Sequence, residues 1–415
     1  MPDSTFTQIH SMQLDNGLTV LFESMPWLRS LSLGLLVPLG SATDPAGQEG
    51  SATVMSEWFM RGAGPHASRE FSSAFDRLGV RRSNSADRET SSFSASLLAD
   101  TLPEALELLA TQVKSPRLED AEFAGARELS LQDVRSLADQ PASRLAEALS
   151  AATFASAHGR SSLGSIDGLL SLTPESVRAD RDRRFGPEDA ILAVAGGVSW
   201  PELQDLVNRH LADWTGEVQP IPEPVLAAPQ RRHVEADTSQ VQIGVSFRAL
   251  PPDHPDWLKQ SLATGVLSGG MGARLFTEVR EKRGLVYSVG AAARAVRGAG
   301  YLVGYAGTTP QKAQETVDVM LAEFRRLSSG VSAGELERAR QGRLTRLILQ
   351  GEASGSRAAG LAGEYWLRRR TVTLEETAAQ LRAISLDELN SWLAGFSLEE
   401  PTIVTLGPGG NGHDQ

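Results

Sequence analysis

Arg280 and Tyr287 are the residues whose types and spacing come nearest to a chemistry. Residues 274–287 read RLFTEVREKRGLVY. Leu275, Phe276 and Val279 share one face of a predicted helix. Gly284 allows a turn, and Leu285, Tyr287 and Val289 alternate along a predicted strand. A helix that turns straight into a strand can bring Arg280 and Tyr287 to one wall. Guanidinium and phenol are both hydrogen-bond donors. Aimed at one carbonyl, they would polarise it or stabilise an oxyanion. The same residues also fit a surface arginine and a packed tyrosine, and the segment by itself does not separate the two.

Other motifs carry less. Residues 50–62, GSATVMSEWFMRG, put Val54, Met55, Trp58 and Phe59 on one helical face and Thr53, Ser56, Glu57 and Met60 on the other. That is a packed helix with a polar side. Gly269, Gly270 and Gly272 precede a predicted helix, which suits a tight turn or a substrate-facing loop. No two of the seven histidines lie within twenty residues of each other, so no histidine-pair metal motif exists. Surface loops are their expected place, with His254 in a turn. Neither a GxxxxGK[ST] phosphate loop nor a GxSxG nucleophile elbow occurs.

Composition narrows the partners. The 415 residues carry 40 Lys and Arg against 51 Asp and Glu, a net charge of −11. Nucleic acid and anionic membranes both want a basic face and are not expected partners. With 41% hydrophobic residues the chain has the makings of ordinary globular cores. The absence of cysteine excludes disulfides, thiolate nucleophiles and Cys-ligated zinc. The N-terminus shows no basic and apolar leader pattern, and no apolar run approaches the roughly 18–20 residues of a membrane span. A cytoplasmic location is the expectation.

The elements that position these residues come in two similar sets. Residues 216–230 hold Pro220, Pro222, Pro224 and Pro229, an extended linker that forbids a helix. It separates expected domains at 1–215 and 231–415. In the first, predicted strands at 18–23 and 31–39 precede helices at 50–61 and 68–78. A strand pair within 80–97 and helices from Thr101 and near Asp120 come next. In the second, strands at 234–236 and 241–250 precede helices at 256–268 and 272–282. Strands within 285–306 and helices from Thr309 and Ser332 come next. Ser332 with Glu335, and Ser385 with Glu388, have capping-box spacing. Late in each half, residues 172–177 resemble 384–389, each ahead of a strand-like run (190–195 and 402–406). This pattern predicts an α+β fold made twice: a mainly antiparallel sheet with helices packed on it.

The chain resembles the pitrilysin/insulysin-like zinc peptidases, specifically the mitochondrial-processing-peptidase-like branch. The likeness rests on LDNGLTV at 14–20, GRSSLG at 159–164, LTPE at 172–175, the strand at 190–197 and above all residues 274–287. It implies two similar domains facing each other across a cavity. The family's zinc motif is HxxEH on a helix, with a distal glutamate. Placed on this sequence, the histidines fall at Thr53 and Glu57, the general base at Ser56 and the distal ligand near Asp133. A catalytic zinc needs three good ligands and an open position, and a serine hydroxyl is no general base at neutral pH. No metal and no cofactor are therefore expected in this chain, and no hydrolysis by it alone.

The family's Arg/Tyr pair, by contrast, falls on Arg280 and Tyr287. In two-chain members, one subunit bears zinc and the other bears this pair, which contacts the substrate. The resemblance thus implies a non-zinc subunit of a heterodimer. Its expected partners are a homologous HxxEH-bearing chain that holds the zinc and an unfolded peptide substrate. Gly269, Gly270 and Gly272 would then let substrate backbone approach. Two alternatives remain: a catalytically silent scaffold or peptide-binding homologue, as in core subunits of respiratory complexes, and a hydrolase with an unfamiliar site.

Overall fold

The computed structural model describes residues 8–396, 398 and 400–409. His413 lies outside them. They form two units, each drawing on both halves of the sequence.

Unit 1 comprises Met1–Ser136, Arg160–Pro222 and Gln350–Thr373. Its strands are β1 (Ile9–Gln13), β2 (Thr19–Ser24), β3 (Ser30–Val37), the two-residue ribbon β4 (Gly62–Ala63) and β5 (His66–Ala67), β6 (Arg81–Ala86), β7 (Ser91–Leu98) and β8 (Ile191–Gly196). Six of these make one sheet in the order β1-β2-β8-β3-β7-β6. Only β2 and β8 pair in parallel. The strand β8, ILAVAG, is buried along its whole length, as a central strand covered on both faces must be. β7 alternates buried and more exposed residues. Its helices are α1 (Ser51–Phe59), α2 (Ser68–Arg77), α3 (Leu102–Lys114), α4 (Asp120–Ser136), α6 (Ile166–Ser171), α7 (Pro174–Arg184), α8 (Trp200–Leu211) and α12 (Ser354–Arg368).

Unit 2 comprises Leu137–Gly159, Glu223–Leu349 and Leu374–Gln415. Its sheet runs β11 (Val286–Val296), β12 (Ala299–Thr308), β10 (Val241–Ala249), β13 (Thr402–Gly407), β9 (Arg231–Glu235). Only β9 and β13 pair in parallel. Its helices are α5 (Pro141–Thr153), α9 (Trp257–Ser268), α10 (Ala313–Arg325), α11 (Ala333–Gly351), α13 (Leu374–Ala383) and α14 (Leu386–Gly395).

The duplication is present in the topology. Without β1, the unit 1 sheet reads β2-β8-β3-β7-β6, and the unit 2 sheet read from its other end is β9-β13-β10-β12-β11, with the parallel pair at the same place. The Ser385 capping box forms as its spacing predicts. The unit boundary at 222/223 falls inside the proline-rich stretch. Contiguous domains at 1–215 and 231–415 do not describe two segments, however. Helix α5 packs on β10 and β13 of unit 2, and α12 packs on β3 and β8 of unit 1.

Each exchanged helix has an apolar face to bury. In α5 this is Leu145, Leu149 and Ala152, set against Val404 and Leu406. In α12 it is Leu361, Ala362 and Trp366, set against Leu21, Ile191 and Ala193. α12 also carries a buried charge. Arg357 donates from Nε to both carboxylate oxygens of Glu23 on β2, at 3.0 and 2.9 Å. No helix among the described residues is long and apolar enough to cross a membrane.

The core of unit 1 is aromatic. Phe59 of α1 meets Phe185 edge-on at 4.7 Å, and Trp58 meets Phe123 at 4.9 Å. The start of α1 is fixed by charge. Gly50 supplies no capping side chain and sits at φ +109°, where a Cβ would meet Leu169 Cδ2 at 2.5 Å. Asp44 caps the helix from a distance instead, accepting from Gly50 N (2.7 Å) and Ala52 N (3.0 Å). Fully buried Arg184 joins Asp44 (2.7 Å) to Asp180 (2.6 Å).

Removing Arg184 would leave two buried carboxylates without their cation. Arg184→Leu is expected to cost about 3–5 kcal/mol of stability, read from urea unfolding. Asp44→Asn with Asp180→Asn added to it should recover part of that loss. An unchanged urea midpoint for Arg184→Leu would show that the cation is dispensable.

Candidate functional site

Helix α1 presents the positions where the family resemblance places a zinc motif. Thr53 is half-buried, and its hydroxyl donates to Ser162 O at 2.7 Å. Ser56 is buried rather than on a polar solvent face, and its Oγ has no hydrogen-bond partner among the described residues. Its carbonyl accepts from Asn84 Nδ2 of β6 at 3.3 Å. Glu57 is half-buried between Arg61 and Asp133, so it is not the solvated charge its polar face suggests. Burial pushes its carboxyl above the usual range. Arg61 opposes that shift and Asp133, on α4, reinforces it.

This donor set does not suit zinc. It offers two hydroxyls and two mutually repelling carboxylates beside a guanidinium, with no imidazole. Among the described residues, no three His, Asp or Glu side chains gather as metal ligands. The histidines also depart from the expected loops. His10, His66, His210 and His233 lie in regular elements, and His158 is fully buried. His10 stacks on Trp200 at 5.3 Å. His254 is in a turn.

The second candidate lies in unit 2, and two backbone irregularities build it. Residues Phe276–Glu281 form a π-helical turn, in which Lys282 N donates to Thr277 O at 2.9 Å, five residues back. Gly284, at φ +57°, closes the turn into β11. There the register slips between Val286 and Ser288, leaving Tyr287 as the extra residue of a β-bulge. Arg274 pins the start of the segment from a buried position. It donates to Glu335 Oε1 at 2.6 Å and Oε2 at 3.1 Å, and to Gly330 O at 2.9 Å.

These joints bring Arg280 and Tyr287 side by side. The Arg280 guanidinium carbon lies 5.3 Å from the centre of the Tyr287 ring and 4.9 Å from that of Phe276. Tyr287 is 79% exposed, so it is not the packed tyrosine of the bland alternative. Neither side chain forms an ion pair or conventional hydrogen bond among the described residues. The nearby Glu278 carboxylate is engaged by Lys282 and Arg283, whose hydrogen bonds hold it below the usual carboxylate range.

The glycines have separate reasons. Gly269 ends α9, where a Cβ would meet Gly265 O at 2.4 Å, while Gly270 stands at φ +150° in open space. Gly269, Gly270 and Gly272 line a small hollow with Glu335 and Arg338.

Residues 19–165 match the family model described as Insulinase (Peptidase family M16), and residues 171–343 match the one described as Peptidase M16 inactive domain. The chain belongs to the M16, pitrilysin-like, peptidase family. It is 25% identical over 405 residues to a zinc protease, YmxG, of Bacillus subtilis, covering 95% of this chain and 97% of that one. It is 27% identical over 416 residues to a zinc protease, Mb2805c, of Mycobacterium bovis, covering 96% and 93%. A peptidase M16 inactive domain from Pseudomonas fluorescens superposes with a TM-score of 0.88 at 21% identity, over 97% of this chain and 98% of that chain. A chain in complex III2 of Candida albicans does so with a TM-score of 0.84 at 17% identity, over 96% of each. At these identities the structural likeness speaks to the fold.

Two titrations test this M16 geometry. A carboxyl raised in the fold favours the folded state below its ordinary range, and that contribution is lost as pH rises through the raised value. Glu57→Gln should therefore raise the melting temperature at neutral pH, with the gain shrinking as the pH falls. A gain that persists unchanged in acid would contradict the burial of Glu57. Glu335 runs the other way, its pKa being lowered to about 2 by the Arg274 hydrogen bonds. Its contribution is present above the ordinary carboxylate range and is lost as pH falls from there toward about 2. Glu335→Gln should remove that acid-side dependence from the urea midpoint.

Proposed function

We propose that this chain is the non-zinc subunit of a heterodimeric M16 peptidase. The observation that carries this reading is a pair of exposed donors whose side chains have no acceptor among the described residues. Arg280 stacks on Tyr287 and Phe276, and neither Arg280 nor Tyr287 makes a side-chain hydrogen bond or ion pair among the described residues. Such a pair is suited to the carbonyl of an extended peptide, where the guanidinium and phenol would stabilise the negative charge of a tetrahedral oxyanion. The stack on Phe276 and the π-turn would hold the guanidinium in place, so that little reorganisation is needed.

The other half of the chemistry would come from a partner. A hydrolase needs an activated water, and the hydroxyls of Thr53 and Ser56 with the flanked carboxylate of Glu57 are unsuited to provide one. A homologous chain with HxxEH on the corresponding helix would hold the zinc. Gly269, Gly270 and Gly272 would allow substrate backbone to pass close to unit 2. The second reading is a catalytically silent scaffold or peptide-binding homologue. The fold likeness to a chain of complex III favours that alternative.

Co-purification from the native host, followed by reconstitution, tests the proposal. A stoichiometric homologue bearing HxxEH is expected, with peptidase activity in the mixture only and zinc accounted for by the partner. Within that complex, Tyr287→Phe should lower kcat/KM by about 10²–10³, the usual effect of losing one oxyanion donor. Full turnover with Tyr287→Phe would remove the role given to this residue. Recovery of the chain with no peptidase partner would leave the scaffold reading.

A further inference from the structure

We propose that the open edge of β11 and the arginine face of α11 form a docking groove for an extended, acidic peptide segment. β11 is the end strand of its sheet and, among the described residues, pairs with β12 alone. An end strand offers a row of unpaired N–H and C=O groups, and proteins usually guard it with charge, proline or shortness. This edge is 11 residues long, and its middle is Gly290-Ala291-Ala292-Ala293. Small uncharged side chains let another backbone come close.

Beside this edge, α9 and α11 leave a groove of about 460 Å³. Ala291, Ala292, Ala293, Arg294, Arg343 and Arg346 line it. On α11 the lining residues Ala339, Gly342, Arg343 and Arg346 recur three and four apart, so they share one helical face. No acidic side chain is among the lining residues. Arg294 and Arg346 are exposed and form no ion pair among the described residues.

The charge decides the occupant. In a chain of net −11, two exposed arginines beside one groove, Arg294 and Arg346, with no acidic lining residue, are a local reversal of sign that draws anions. The strand edge asks for amide partners, which a polypeptide has and a nucleic acid lacks. Main-chain bonds to β11 would supply affinity, and alternate Asp or Glu side chains would meet the guanidinium groups in charge-assisted pairs. The same strand carries Tyr287 at its other end, about 23 Å from Arg294 at the usual rise per residue. A peptide laid in the groove therefore runs along the strand that bears the candidate donors. Docking needs neither a second chain nor a metal, so it stands or falls separately from the subunit reading.

The test uses the full chain and fluorescence anisotropy with labelled ten-residue peptides. A peptide alternating Glu and Val should bind, and its Lys–Val counterpart should not. Arg294→Glu with Arg346→Glu should weaken the Glu peptide at least tenfold. Arg294→Gln with Arg346→Gln is the milder pair, should circular dichroism show that charge reversal disturbs the fold. N-methylation of one alternating set of peptide amides should abolish binding, while methylation of the other set leaves it intact. Absence of binding by the Glu peptide, or binding indifferent to the arginine variants, would overturn the proposal. So would equal binding of both methylated peptides, or of a single-stranded oligonucleotide of matching charge.

Discussion

Arg184 is the residue on which the geometry of unit 1 turns. Its guanidinium, with no exposure, donates to Asp44, to Asp180 and to Gly40 O. A buried ion is unfavourable unless every donor and acceptor is met. Here each carboxylate has a second task. Asp44 receives the first amides of α1, which a glycine at the N-cap leaves without a side-chain acceptor. Asp180 receives the hydroxyl of Ser51 in the first turn of the same helix. The register of α1, and so the placement of Thr53, Ser56 and Glu57, is set by residues outside the helix. None of those three positions contributes to the network.

Unit 2 uses the same device for a different purpose. Arg274 is buried and bound to Glu335, Gly330 O and Arg326 O. That anchor precedes two local departures from regular structure, the π-turn and the bulge at Tyr287. Each departure adds a residue to its element and rotates the residues after it. Together they set a guanidinium against a phenol ring seven residues on. An α-helix running into an unbroken strand would not hold the pair by this route.

The sheets and most helices were legible in the sequence because they depend on local period and local caps. The alternation of β7, the apolar run of β8 and the Ser385–Glu388 box each declare themselves within a few residues. The repeat of element order predicted the shared sheet topology. The exchanged helices were not legible. The amphipathic face of α5 or α12 says that something is buried, not which sheet covers it. The buried ion pairs left no trace either. Arg184 meets Asp44 across 140 residues and Arg357 meets Glu23 across 334. Nothing in a period of two or 3.6 residues marks such partners. The burial of Ser56 and Glu57 was missed for a related reason. A helix of nine residues wrapped by α4, α6 and α7 has less solvent-facing surface than its polar positions suggest.

What the sequence motif could not supply was the state of the two donors, and that state bears most on function. A tyrosine retained for packing would be buried, and an arginine retained for stability would have a carboxylate. Tyr287 is mostly exposed, and Arg280 forms no ion pair with either flanking carboxylate, Glu278 or Glu281, among the described residues, Glu278 being held by other cations. The ring contact between the two orients the guanidinium while spending none of its N–H groups. Folding energy therefore gives little reason for this pair to stand where it does. Donors kept oriented, charged and unspent at a surface are suited to an acceptor that arrives from outside the chain, such as a peptide carbonyl. On the proposed reading, the activated water for a reaction at that carbonyl would come from a second protein.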